Sequence, residues 1–121
     1  MKIVLSASGP DLEAQVEPRF GRAPYFLMVD TETMACEALT NGQNLQAAQG
    51  AGIQAAAMIT RQRPAAVLTG HCGPKAFNTL LAAGIGVILG MKGPVREAVQ
   101  KYQAGKLAPA RVPDVASHWM S

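Results

Sequence analysis

Two short turns carry the residues of this chain best suited to chemistry. "TGHCGP" (69–74) sets His71 beside Cys72 between glycines, and "GMKGP" (90–94) sets Met91 beside Lys92 in the same frame. Imidazole and thiol are soft donors that favour copper, zinc or metal–sulfur species; a magnesium site would want carboxylates, which both turns lack. Gly70 and Gly73 permit close backbone approach, and each turn leads into a helix-like segment whose first N–H groups could receive an anion. Arg19 and Arg22, in "PRFGRAP" (18–24), are placed to reach over the same edge, although Asp11, Glu13 and Glu17 offset their charge. The implied ligand is anionic and soft.

Plainer roles stand beside these. Cysteine is commonly a small buried hydrophobe and a lone histidine is commonly structural, so for Cys72 and His71 both readings stay open. Cys36 reads as a packing residue in a hairpin strand, and Met34 and Met58 read as core filler. Arg61 and Arg63 read as solvated charges at a helix end. His118, in "SHWM", falls in the C-terminal tail.

The elements that must position these turns follow from periodicity and punctuation. "KIVLSAS" (2–8) is a β-branched run ending at Gly9-Pro10, and residues 11–23 form a long loop of mixed charge without clean periodicity. "PYFLMVDT" (24–31) and "ACEALTN" (35–41) are spaced as a hairpin. Helical spacing then marks 50–63, stopped by Pro64, while 74–84 and 94–105 share a proline at the start and a glycine at the end. Strand-like "AAVLTG" (65–70) and "IGVILG" (85–90) lie between them. The pattern predicts a mixed five-stranded α/β sheet, with strands one to three antiparallel, four and five parallel, and helices on its faces. In such sheets ligands bind beyond the carboxyl ends of the parallel strands, where "SASGP", "TGHCGP" and "GMKGP" should converge.

Composition bounds the rest. With 121 residues, 49% of them hydrophobic and 16% charged, the chain is expected to fold as one domain over 1–107 with a tail over 108–121. A net charge of +3 without a Lys/Arg stripe, and 5% aromatics, speak against a nucleic-acid binder. No apolar run approaches the roughly 18 to 20 residues that span a bilayer. Two separated cysteines form neither a disulfide framework nor a zinc pattern, so a cytoplasmic protein with reduced thiols is expected.

The chain resembles the dinitrogenase iron–molybdenum cofactor biosynthesis family, which includes NifX-like carriers, the NifB C-terminal region and orange-protein-like molybdenum–copper binders. The matching segments are "EPRFGRAPYFLMVD", "GAGIQAA", "VLTGHCGPKAFNTLLAAGI" and "GPVREAVQKYQAGKL", which together span nearly the whole chain. The resemblance implies a ribonuclease-H-like fold. It also implies non-catalytic binding or carriage of a metal–sulfur cluster, of the iron–molybdenum precursor or molybdenum–copper–sulfide type, with cluster donor and acceptor proteins as partners. By this similarity Arg19, Phe20, Gly21 and Arg22 correspond to the family's loop motif, and His71, Cys72 and Gly73 to its second ligand-side turn.

From the residues alone, the expected site combines His71 and Cys72 as metal ligands with Arg19, Arg22, Gly70, Gly73, Met91 and Lys92 around the cluster. Two other functions remain on the table. An enzyme would need either several carboxylates at one site or an oriented Cys–His pair, and Asp11, Asp30 and Glu32 show no convincing arrangement for the first. A metal-free protein-interaction module would use an apolar sheet edge or the tail.

Overall fold

A computed structural model describes residues 1–42 and 51–109. Within them lie β1 (Lys2–Ala7), a 3-10 turn (Phe20–Arg22), β2 (Tyr25–Asp30), β3 (Cys36–Thr40), α1 (Ala51–Thr60), β4 (Ala66–Leu68), α2 (Pro74–Ala82), β5 (Gly86–Ile88) and α3 (Val95–Gln103). The strands form one sheet in the order β3-β2-β1-β4-β5. β1 pairs antiparallel with β2 and β2 with β3, whereas β1, β4 and β5 run parallel. This is the mixed five-stranded architecture that the sequence predicts. Most of the expected tail, including His118, lies outside the described residues, as does Gly50 at the start of the first helical segment.

Alternation along the strands builds two cores. Val4, Phe26, Met28, Val67 and Val87 face one side, where α1 and α2 cover them with Ala55, Ile59, Phe77 and Leu80. Ile3, Leu5, Leu27, Leu68 and Ile88 face the other, under Val95, Ala98 and Val99 of α3. Period-two side chains make this division automatic, and each fully buried Phe or Leu contributes about 1.5–3 kcal/mol.

Two expectations change. Cys36, expected to pack, is exposed: β3 is an edge strand with no fully buried residue. The first helical segment ends at Thr60 rather than at 63, because Arg63 takes a left-handed φ of 53° ahead of Pro64.

Candidate functional site

Parallel pairing brings the ends of β1, β4 and β5 to one edge of the sheet. The turn after β5 lies against the turn after β4, with Gly90 N–H on the Gly70 carbonyl at 2.9 Å and Met91 N–H on the Thr69 carbonyl at 3.1 Å. The expected convergence of the turns is therefore present. Their side chains nevertheless separate. Cys72 is 1% exposed and packs in the core under α1 and α2, whereas Met91 is buried in the core under α3. Lys92 is exposed at the tip of its turn.

The loop 8–24 crosses this edge and is built into it. Bridges join Ala7 to Val16, Gln15 to Pro94 and Arg19 to His71. The Pro18 carbonyl accepts from His71 N–H at 2.6 Å, and the His71 carbonyl accepts from Phe20 N–H at 3.1 Å. Beneath them the Ser6 hydroxyl donates to the Glu17 carbonyl at 2.7 Å and shares a 2.7 Å bond with the Thr69 hydroxyl. Gly70 serves this crossing: a Cβ there would lie 2.7 Å from Pro18 Cα and O. Arg19 is exposed and within 3.4 Å of Glu17, and Arg22 is exposed at the end of the 3-10 turn.

The loop closes one helix start and leaves the other open. At α3, Val95 N–H donates to the Ala14 carbonyl at 2.8 Å and Arg96 N–H to the Leu12 carbonyl at 3.1 Å. Those donors are the ones an anion would need, so the "GMKGP" helix start expected to receive one is occupied by backbone. At α2 the first helical bond is Phe77 N–H to the Gly73 carbonyl. Among the described residues no group accepts from the N–H of Lys75 or Ala76.

A cleft of about 580 Å³ opens at that helix start. The loop contributes Phe20 and Gly21, α1 contributes Gly52 and Ile53, and the α2 turn contributes Gly73 to Ala76. Phe20 is anchored in the core against Phe26, with ring centroids 5.0 Å apart. A Cβ at Gly21 would lie 2.8 Å from the Gly52 nitrogen, so the loop rests directly on the α1 backbone. Among the described residues, Lys75 is the charged residue of the lining and no carboxylate belongs to it. His71 and Cys72 lie next to it in sequence without lining it. The described residues hold no group of three or more His, Cys, Asp or Glu placed to bind a metal ion.

Lys75, Gly52 and Ile53 are absent from the sequence-derived site. A signal for Lys75 exists nonetheless. It follows Pro74 in the first turn of a helix, where the macrodipole disfavours a cation by about 0.3–1 kcal/mol. A lysine kept at the positive end of a helix needs a reason, and an anionic ligand would supply one. Gly52 and Ile53 fall in the "GAGIQAA" segment of the resemblance, but only the tertiary fold sets α1 against the 3-10 turn.

Three parallel strand ends meeting at one edge of the sheet, with a loop threaded across them and a cleft beside it, place the chain in the α/β class. The model of the dinitrogenase iron–molybdenum cofactor family matches residues 1–105, and the chain belongs to that family. The apo form of the orange protein from Desulfovibrio gigas is 44% identical with a TM-score of 0.90, over 93% of this chain and 95% of that one. A Thermotoga protein described as a NifB protein is 30% identical with a TM-score of 0.75, over 89% and 91%. A Methanocaldococcus jannaschii protein described as a dinitrogenase shares the fold, with a TM-score of 0.70 at 16% identity over 93% and 97%. No curated protein matches the chain.

Proposed function

We propose that the chain binds and carries an anionic metal–sulfur cluster, as cargo rather than as a catalytic centre, in a process related to iron–molybdenum cofactor assembly. The observation that carries this reading is the cleft at α2: a cavity of about 580 Å³ whose described residues supply one ammonium, open backbone N–H groups and no carboxylate. Sulfide-rich clusters are bulky, polarizable and negatively charged. Phe20, Ile53, Pro74 and Ala76 offer them apolar contact, while Lys75 and the helix start offset the charge. Family membership and the similarity to the orange protein support the same cargo class.

In this reading His71, half-buried and paired through its backbone with Arg19, is the soft donor at the rim. Cys72 would ligate only after the 71–73 turn shifts, because its residue is packed with Phe20 and Phe77. Arg19 and Arg22 add long-range attraction from the loop. Met91 and Lys92 stand outside the cleft and would contribute through the neighbouring turn. A setting that keeps both thiols reduced, as the cytoplasm does, belongs to the proposal; no helix of the described residues is long and apolar enough to cross a membrane.

The test is anaerobic incubation with tetrathiomolybdate and copper(I), followed by desalting, visible absorption and metal analysis. A chromophore should elute with the protein, and Lys75→Gln should weaken its binding about tenfold, the loss of one charge-assisted contact. Elution without metal or colour would refute the reading. An interaction module would instead form a stoichiometric protein complex that persists after His71 and Cys72 are replaced.

A further inference from the structure

Gly73 is a glycine that neither its backbone angles nor any described neighbour demands. Many of the other described glycines answer to a left-handed backbone, as at Gly90 and Gly93, or to a neighbour that leaves no room, as at Gly21 and Gly70, while at Gly52 and Gly86 a Cβ would already rest in ordinary contact with Ala76 or Pro109. Gly73 has φ −67° and ψ 161°, an extended conformation open to any residue, and among the described residues a Cβ there would meet nothing within 4 Å. Gly42 is similarly uncrowded, but it adjoins residues 43–50, outside the described set. Gly73 also holds the N-cap of α2 and makes no side-chain cap bond there. Serine, aspartate or asparagine would each cap that helix somewhat better, by a few tenths of a kcal/mol. Gly73 lines the cleft, and among the described residues the position of its missing Cβ is open space.

Resting on the cargo reading above, we propose that Gly73 determines the size of ligand the cleft admits, holding the bare backbone against the bulk of a polynuclear anion while smaller anions reach Lys75 without using that space. The glycine thus makes the site selective for assembled clusters over mononuclear thioanions. A methyl group at Gly73 leaves Lys75 and the α2 N–H groups in place and removes only room. A serine hydroxyl there does more, since it can accept from those N–H groups and withdraw them from any anion.

The experiment compares the unmodified chain with Gly73→Ala and Gly73→Ser, titrated anaerobically with tetrathiomolybdate alone and with its copper(I) adduct. In Gly73→Ala, binding of the adduct should fall at least tenfold, that of tetrathiomolybdate should stay within twofold, and Tm should be unchanged. In Gly73→Ser both probes should bind more weakly, with Tm equal or higher. Equal weakening of both probes in Gly73→Ala, or adduct binding that Gly73→Ala leaves intact, would overturn the proposal while the cargo reading stands. An unmodified chain that takes up neither probe overturns both.

Discussion

The turns "TGHCGP" and "GMKGP" have one design and two fates. Both close with Gly-Pro, both follow a parallel strand, both lead into a nine-residue helix and both carry a sulfur-bearing side chain. At α3 the loop carbonyls of Leu12 and Ala14 occupy the helix start; at α2 the same loop rests on the backbone at Gly70 and, through Gly21, at Gly52, and leaves a cleft. Helix-start donors become a binding site only where no other part of the chain reaches them first.

Four measurements would break or sharpen this contrast. The largest effect is expected from thiol chemistry. Cys72 of the open turn is sealed in the core while Cys36 is exposed on β3, so a thiol-specific reagent should find one fast thiol in the native protein and two after denaturation. Cys72 should react more slowly by on the order of a thousandfold or more, because access requires an opening of the structure. Partial desolvation of the thiol in this otherwise exposed residue, and secondarily the charge of Asp11, raise Cys36 above its ordinary value of 9.0, so its alkylation rate should keep climbing past pH 9.0. The sign for stability follows: the unfolded chain loses this proton first, so the Cys36 contribution declines as pH rises above 9.0.

Next in size is Gly70→Ala, which forces a methyl to 2.7 Å from the Pro18 backbone and should lower stability in urea by about 2–3 kcal/mol, with loss of the cleft's loop wall. Gly90→Ala, its counterpart at the second turn, meets no atom and costs only its φ of 77°, about 1–2 kcal/mol. A reversed order would mean that the loop does not rest on Gly70. Smaller again, Lys92→Gln should change copper–thiomolybdate affinity within about twofold at moderate salt, since exposed charges outside the cleft are screened. An effect as large as that of Lys75→Gln would move the site toward the second turn. The smallest is Arg96→Ala, which removes the 2.6 Å pair with Glu13 beside the closed helix start. Both side chains are exposed, so the loss should stay below about 1 kcal/mol in thermal unfolding.

Much of the fold is legible in the chain. The hairpin, the three helices with their proline starts and the parallel strand order all come from period, punctuation and the need for crossovers between parallel strands, which are local or topological rules. Strand ends and helix ends move by a few residues, and Cys36 moves from interior to surface, because an edge strand and a central one share the same alternation. The candidate site was legible in outline only. Its edge, its loop and Gly73 can be placed from sequence, but "GHCGP" displays a thiol that the fold then turns inward.

Residue order by itself determined the sheet, the three turns at one edge and the soft, cationic character of what lies there, since each depends on neighbours in the chain. Tertiary structure alone decided which helix start stays open, that Lys75 rather than Lys92 faces the cleft, and that Cys72 and Met91 sit on opposite faces of the sheet. The physical reason is that burial and the occupation of backbone donors depend on where a loop some fifty to eighty residues away comes to rest, and spacing along the chain does not encode that distance.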